Sequence, residues 1–265
     1  MSSIQPNDLA ILIVEPSDTQ RKIIVNKLKQ QDVTNITACS HITEAKEIIE
    51  KHAFDLIASS LYFDGATGID LLKHIRSDDR FSETPFMLIS SEHRRDNLET
   101  FKQSGVVAIL PKPFTKEHLH AALNNTIDLL SADEMELEYF DVHEVRVLLV
   151  DDSKLARNHI RRVLNNLGLL KVTEAVNGQD AINIMSDNMF DLIVTDYNMP
   201  EVDGRELTRY VREQSQQSHI PILMVTSESN DTHLANIEQD GVNALCDKPF
   251  EPQYVKKLLY RLLED

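Results

Sequence analysis

Phe190-Asp191-Leu192-Ile193-Val194-Thr195-Asp196-Tyr197-Asn198-Met199-Pro200 is a short apolar run that ends in a carboxylate and then breaks into a turn. A run of that length with that boundary predicts a buried strand over Asp191 to Thr195, with Asp196 at its carboxyl end. Its opening residues recur 136 positions earlier as Phe54-Asp55-Leu56-Ile57. At the same offset Lys248-Pro249-Phe250 matches Lys112-Pro113-Phe114, and Gly204, Pro221 and Gly241 match Gly68, Pro85 and Gly105. Two copies of one domain follow. Where the second copy has Asp151, Asp152 and Asp196, the first has Glu15, Pro16 and Ser60.

A length of 265 residues agrees with two small domains, each large enough for its own core. The net charge of −16 is spread over both copies. That balance argues against direct nucleic-acid binding, which needs clustered Lys and Arg. Cys39 and Cys246 occupy unrelated positions in the repeat and offer neither a disulfide framework nor metal spacing. No stretch reads as a signal peptide or a membrane span, so a cytoplasmic protein without membrane contact is expected.

In the second copy, short apolar runs alternate with amphipathic stretches, the pattern of parallel strands joined by crossover helices. Val147 to Val150 reads as a strand. Ser153 caps a helix whose apolar residues Ala156, Ile160, Val163, Leu164 and Leu167 share one face, and Gly168 stops it. Strands over Lys171 to Ala175, Ile222 to Thr226 and Asn243 to Cys246 follow. Helices are expected from Asn177-Gly178, over Gly204 to Val211, over Asp231 to Gln239, and from about Pro252 to Leu263. The first copy repeats this order, giving domains over 8–130 and 145–265. The connector 131–144 carries six acids and no glycine or proline. It reads either as a continuation of the preceding helix, from the spacing of Leu123, Ile127, Leu130 and Leu137, or as a solvated acidic linker.

In an open parallel sheet, ligands bind beyond the carboxyl ends of the strands, where Asp151, Asp152 and Asp196 all fall. Crowded carboxylates raise one another's pKa unless a cation holds them, and an all-oxygen set suits Mg²⁺. Lys248 adds a compact positive charge and Thr226 a hydroxyl at the same rim. Such a set suits phosphoryl transfer to a carboxylate.

Asp151-Asp152, the stretch from Phe190 to Pro200, Gly204, Thr226 and Lys248-Pro249-Phe250 together resemble the receiver domain of bacterial two-component response regulators. The resemblance implies an α/β fold of two tandem doubly wound (βα)5 flavodoxin-like domains, each with a parallel five-stranded sheet in the order 2-1-3-4-5. It implies that Asp196 is the phospho-acceptor, that Asp151 and Asp152 hold Mg²⁺ with the backbone carbonyl of Asn198, and that Lys248 and Thr226 contact the phosphoryl group. The bond before Pro249 would be cis. The expected partners are a sensor histidine kinase or a histidine phosphotransfer protein, and an unknown downstream protein target. Lys154, Arg157, Arg161 and Arg162 would form a basic docking face for the kinase side, or a solvated helix face. The output surface would combine the fourth helix, fifth strand and last helix, including Tyr254. Glu228 lies where the family tunes the lifetime of the phosphorylated state. Leu245 departs from the family by standing where a switch aromatic is usual. The oligomeric state is open, a homodimer included.

The first copy reads as a degenerate pseudo-receiver in an interaction or regulatory role. Ser60 cannot form an acyl phosphate, Pro16 has no carboxylate, and Glu15 alone is a poor Mg²⁺ site. Ser90 and Lys112 remain, and Glu15 is placed to neutralise Lys112. The leading expectation is a phosphorylation-switched signalling protein, catalysing only its own phosphorylation and dephosphorylation, with a phosphorelay intermediate or phosphate sink as the alternative. A haloacid-type phosphatase is disfavoured because Asn198 stands where that chemistry needs a second acid.

Overall fold

The computed structural model describes residues 4–91, 103–131, 134–227 and 241–264. The chain divides into two compact units, residues 1–131 and 132–265. The first runs through β1 (Ala10–Val14), α1 (Asp18–Lys29), β2 (Asn35–Cys39), α2 (Ile42–Lys51), β3 (Leu56–Ser60), β4 (Tyr62–Phe63), β5 (Ala66–Thr67), α3 (Gly68–Arg76), β6 (Phe86–Ser90), β7 (Ala108–Pro111) and α4 (Lys116–Leu130). Its parallel sheet has the order β2-β1-β3-β6-β7. The central strands β1 and β3 are buried on both faces, which is why they read as continuous apolar runs rather than alternating ones.

The second unit runs through β8 (Arg146–Val150), α5 (Lys154–Asn166), β9 (Lys171–Ala175), α6 (Gly178–Asp187), β10 (Leu192–Asp196), α7 (Gly204–Glu213), β11 (Ile222–Thr226), β12 (Ala244–Asp247) and α8 (Pro252–Glu264). Its sheet order, β12-β11-β10-β8-β9, is the first arrangement named from the opposite edge. Each unit therefore has the 2-1-3-4-5 order of a doubly wound fold. The helix expected over Asp231 to Gln239 and Glu228 lie outside the described residues.

The caps act where the sequence places them. Ser153 accepts a hydrogen bond from Ala156 N at 3.3 Å and Asn177 from Asp180 N at 2.8 Å, each satisfying a free amide in a first helical turn. Gly168 closes α5 at φ +95°. Gly204 is required for a different reason. A Cβ there would stand 2.2 Å from the carbonyl oxygen of Asp196, so only glycine lets α7 start against the end of β10.

Two strand starts differ from the expected ones, and one hairpin is new. Strand β10 starts one residue late because Asp191 uses its carboxylate on Arg146, accepting from the backbone N and Nε at 2.9 Å each. Likewise β12 starts at Ala244, with Asn243 Oδ1 accepting from Ile222 N at 2.9 Å. The hairpin of β4 and β5, turned at Gly65 with φ +71°, had no sequence expectation.

The connector is not a helix extension. Helix α4 ends at Leu130, and Ser131 is already extended. From Glu134 the chain folds onto the second unit: Met135 N donates to Leu167 O at 2.9 Å, Glu136 N to Tyr260 Oη at 3.2 Å, and Glu138 N to Glu264 Oε1 at 2.8 Å. Met135 and Val142 are buried there. Repulsion among Glu134, Glu136 and Glu138 opposes an isolated helix, while burial of Met135 and Val142 rewards docking.

Candidate functional site

Parallel register brings the acids of the second unit together. Thr195 on β10 pairs with Val150 on β8, so the next residues along, Asp196 and Asp151, stand side by side at the carboxyl edge of the sheet. Carboxylate oxygens of Asp151, Asp152 and Asp196 all lie within 4.8 Å of one another. Asp151 and Asp196 are buried, and Asp152 is exposed. Thr226 closes β11 as a buried residue, and Lys248 follows β12 after donating its backbone N to Thr226 O at 2.8 Å. The Lys248-Pro249 bond is cis, as is Lys112-Pro113. Asn198 is half-buried two residues beyond Asp196.

Lys248 Nζ bridges the two buried acids, 2.8 Å from Asp151 Oδ2 and 3.0 Å from Asp196 Oδ1. Asp151 Oδ1 accepts from Ser153 N at 2.8 Å. Asp196 Oδ2 is buried without a hydrogen-bond partner among the described residues. Burial pushes the Asp196 carboxyl up to about 7; Lys248 pulls against the rise and the charges of Asp151 and Asp152 add to it. Asp151 is raised by burial too, against the same lysine. One ammonium thus faces three carboxylates, and the unpartnered oxygen is free to ligate a cation. The donor set, all carboxylate oxygen and one acid open to water, fits a hard divalent ion such as Mg²⁺.

The first unit closes the same crevice on itself. Glu15 and Ser60 are buried, and Pro16 is exposed. Lys112 Nζ lies 2.6 Å from Glu15 Oε2 and 3.0 Å from Ser60 Oγ, while Ser60 Oγ donates to Glu15 Oε2. Ser17 N satisfies Glu15 Oε1 at 3.0 Å. Burial alone would raise the Glu15 carboxyl, but the hydrogen bonds from Lys112, Ser60 and Ser17 outweigh it and hold the group below its usual range. Ser90 is buried at the end of β6, and Lys112 N donates to its carbonyl at 2.7 Å, as Lys248 does to Thr226.

The basic face expected on α5 is only partly free. Arg157 turns inward, donating from one terminal nitrogen to Asp151 O at 2.6 Å and from Nε to Glu174 Oε2 at 3.0 Å. Arg161 reaches Glu174 Oε1 at 3.0 Å. Lys154 is exposed. Glu174 was invisible to sequence reasoning because an acid on a short strand carries no pattern of its own.

Doubly wound parallel sheets with acids and a lysine gathered at the carboxyl edge of one copy define a class: tandem receiver-type α/β domains. The chain belongs to the response regulator receiver domain family, whose description matches residues 11–124 and again 147–260. Chemotaxis protein CheY of Pseudomonas aeruginosa is 36% identical over 120 residues, covering 45% of this chain and 97% of that protein. CheY-3 of Vibrio cholerae is 32% identical over 120 residues, covering 45% and 92%. Among solved structures, Vibrio cholerae CheY4 is 35% identical over 45% of this chain and 98% of its own, with a TM-score of 0.42. Tandem receivers place the protein among the response regulators of two-component signalling.

Proposed function

We propose that Asp196 accepts a phosphoryl group from a phosphohistidine on a sensor kinase or phosphotransfer protein, and that this changes the contacts of the second domain with a downstream protein. The unpartnered Oδ2 of buried Asp196, beside Asp151, Asp152 and Lys248, is the observation that carries this reading. In the transfer the Asp196 carboxylate forms an O–P bond as the donor's N–P bond breaks, and the histidine nitrogen leaves with the electron pair. A Mg²⁺ held by Asp151, Asp152 and Asp196 would neutralise charge on the transferring oxygens. Lys248 exchanges part of its pairing with Asp196 for the phosphoryl oxygens, and Thr226 is placed at the rim to donate its hydroxyl. The only reactions catalysed are the protein's own phosphorylation and dephosphorylation, in the cytoplasm.

The first domain is a pseudo-receiver with a role in interaction or regulation, since Glu15 and Ser60 fill its crevice and offer no acceptor. A phosphate-sink reading has its own support: half-buried Leu245 stands at the position where the family couples phosphorylation to a rotating ring. Incubation with a small phosphodonor and Mg²⁺ should add one phosphoryl mass to the wild type and none to Asp196→Asn, with none mapping to residues 1–131. Label persisting in Asp196→Asn would overturn the reading. A lifetime of seconds with no change in partner affinity would move the function to a sink.

A further inference from the structure

The two copies share one contact that neither fold nor acceptor chemistry requires. In each, an arginine on the first helix donates to the backbone carbonyl that follows the first strand: Arg21 to Glu15 O at 2.8 Å and Arg157 to Asp151 O at 2.6 Å. They differ in what holds the arginine from behind. Arg21 pairs with Asp18, one turn away on its own exposed helix face. Arg157 pairs with Glu174 on the neighbouring strand β9, and Glu174 is gripped again by Arg161. At the positions equivalent to Glu174 and Arg161 the first copy has Ala38 and Val25, neither of which can form an ion pair.

The carbonyl concerned belongs to the peptide that joins Asp151 to Asp152. Its plane sets the direction in which both carboxylates leave the chain, so a fork that pins it pins two of the three acids. Arg157 is almost fully buried and its guanidinium has a fixed planar geometry, so a strut from β9 transmits position rather than only charge. The strut is present where the acids are present and missing where they are not.

The geometry points to Arg157, braced by Glu174, as a positioning residue for the Asp151–Asp152 pair, setting its affinity for a divalent ion. This rests on the acid-site reading above and extends it to residues outside the crevice. Groups that orient metal ligands typically change affinity by about 10–100-fold when removed. The strut here acts through one backbone carbonyl, so the low end applies, about 10-fold.

The test is calorimetric titration of the full chain with Mn²⁺ alone, together with urea unfolding of the metal-free chain. Glu174→Gln and Arg157→Lys should each weaken Mn²⁺ binding about 10-fold. The double variant should lose no more than Arg157→Lys alone, because Glu174 acts through Arg157. Arg21→Lys should leave Mn²⁺ binding unchanged. Unchanged affinity in both second-domain variants, or additive losses in the double variant, would overturn the proposal. A loss of affinity that only follows the loss of folded protein in urea would overturn it too. Failure of the wild type to bind Mn²⁺ at all would instead remove the acid-site reading, and this inference with it.

Discussion

Lys112 Nζ stands 2.6 Å from Glu15 Oε2, and the equivalent pair in the second domain, Lys248 Nζ and Asp151 Oδ2, stands at 2.8 Å. The lysine and its first acid are thus retained, and the extra methylene of glutamate changes the outcome. Glu15 reaches far enough to accept from Ser60 as well, so its carboxylate occupies space that the second domain leaves to Asp196 and a cation.

Breaking the pair in the first domain leaves Lys112 partly buried without a counter-charge, its remaining bond being to Ser60 Oγ at 3.0 Å. Glu15→Gln is expected to cost about 2–3 kcal/mol of first-domain stability, below the roughly 3–5 kcal/mol of a fully buried pair because Lys112 remains 21% exposed. With its carboxyl held below the usual range, Glu15 contributes stability that is present above about pH 4.5 and lost as pH falls through its folded value. Urea unfolding against pH should show that acid-side loss in the wild type and a flatter profile in Glu15→Gln.

The metal-free second domain should respond in the opposite direction. Folded Asp196 keeps its proton up to about 7, whereas the unfolded chain releases it near 3.8. The folded state therefore binds more protons between those values, and stability falls as pH rises from about 4 to about 7. Thermal melts in chelator should show this decline, Asp196→Asn should reduce it, and Mg²⁺ should raise the melting temperature most near neutral pH. A second domain equally stable at about pH 4.5 and about pH 7 without metal would contradict the account.

Gly204→Ala should destabilise the second domain by at least about 1–3 kcal/mol, because the added methyl meets the Asp196 carbonyl oxygen at 2.2 Å. It should also slow uptake of phosphate, since relief of the clash moves the strand end carrying Asp196. Denaturant midpoints together with phosphorylation rates check both.

The connector predicts where the chain can be cut. A fragment beginning at 132 should retain the stability of the second unit, whereas one beginning at 145 loses the burial of Met135 and Val142 and should melt several degrees lower. Equal melting temperatures would mean that the docking of residues 134–144 contributes nothing.

The repeat, the alternation of strands and helices and the acids at the strand ends were legible because each follows from local pattern: apolar runs of strand length, caps three residues ahead of an amide, and chemistry placed at the carboxyl ends of parallel strands; the strand order came only with the family resemblance. The contact between Glu15 and Lys112 was also legible, since both positions were fixed by the repeat. Helical spacing puts Arg157 on a surface face, because it gives the side of the helix but not the strand, β9, against which that side packs. The connector had two readings for a similar reason, its apolar spacing fitting a helix and its acids opposing one.

By itself, the order of residues determined two α/β copies of alternating strands and helices, with the full set of acids, Asp151, Asp152 and Asp196, confined to the second. Only the tertiary structure decided which further groups meet across elements: the oxygen of Asp196 left without a partner among the described residues, the hydrogen bond of Ser60 to Glu15, and the brace of Glu174 behind Arg157. Local patterns act over a few residues of chain, whereas the Arg157–Glu174 and Ser60–Glu15 contacts join side chains 17 and 45 positions apart, and they depend on strand register and helix packing that no single segment encodes.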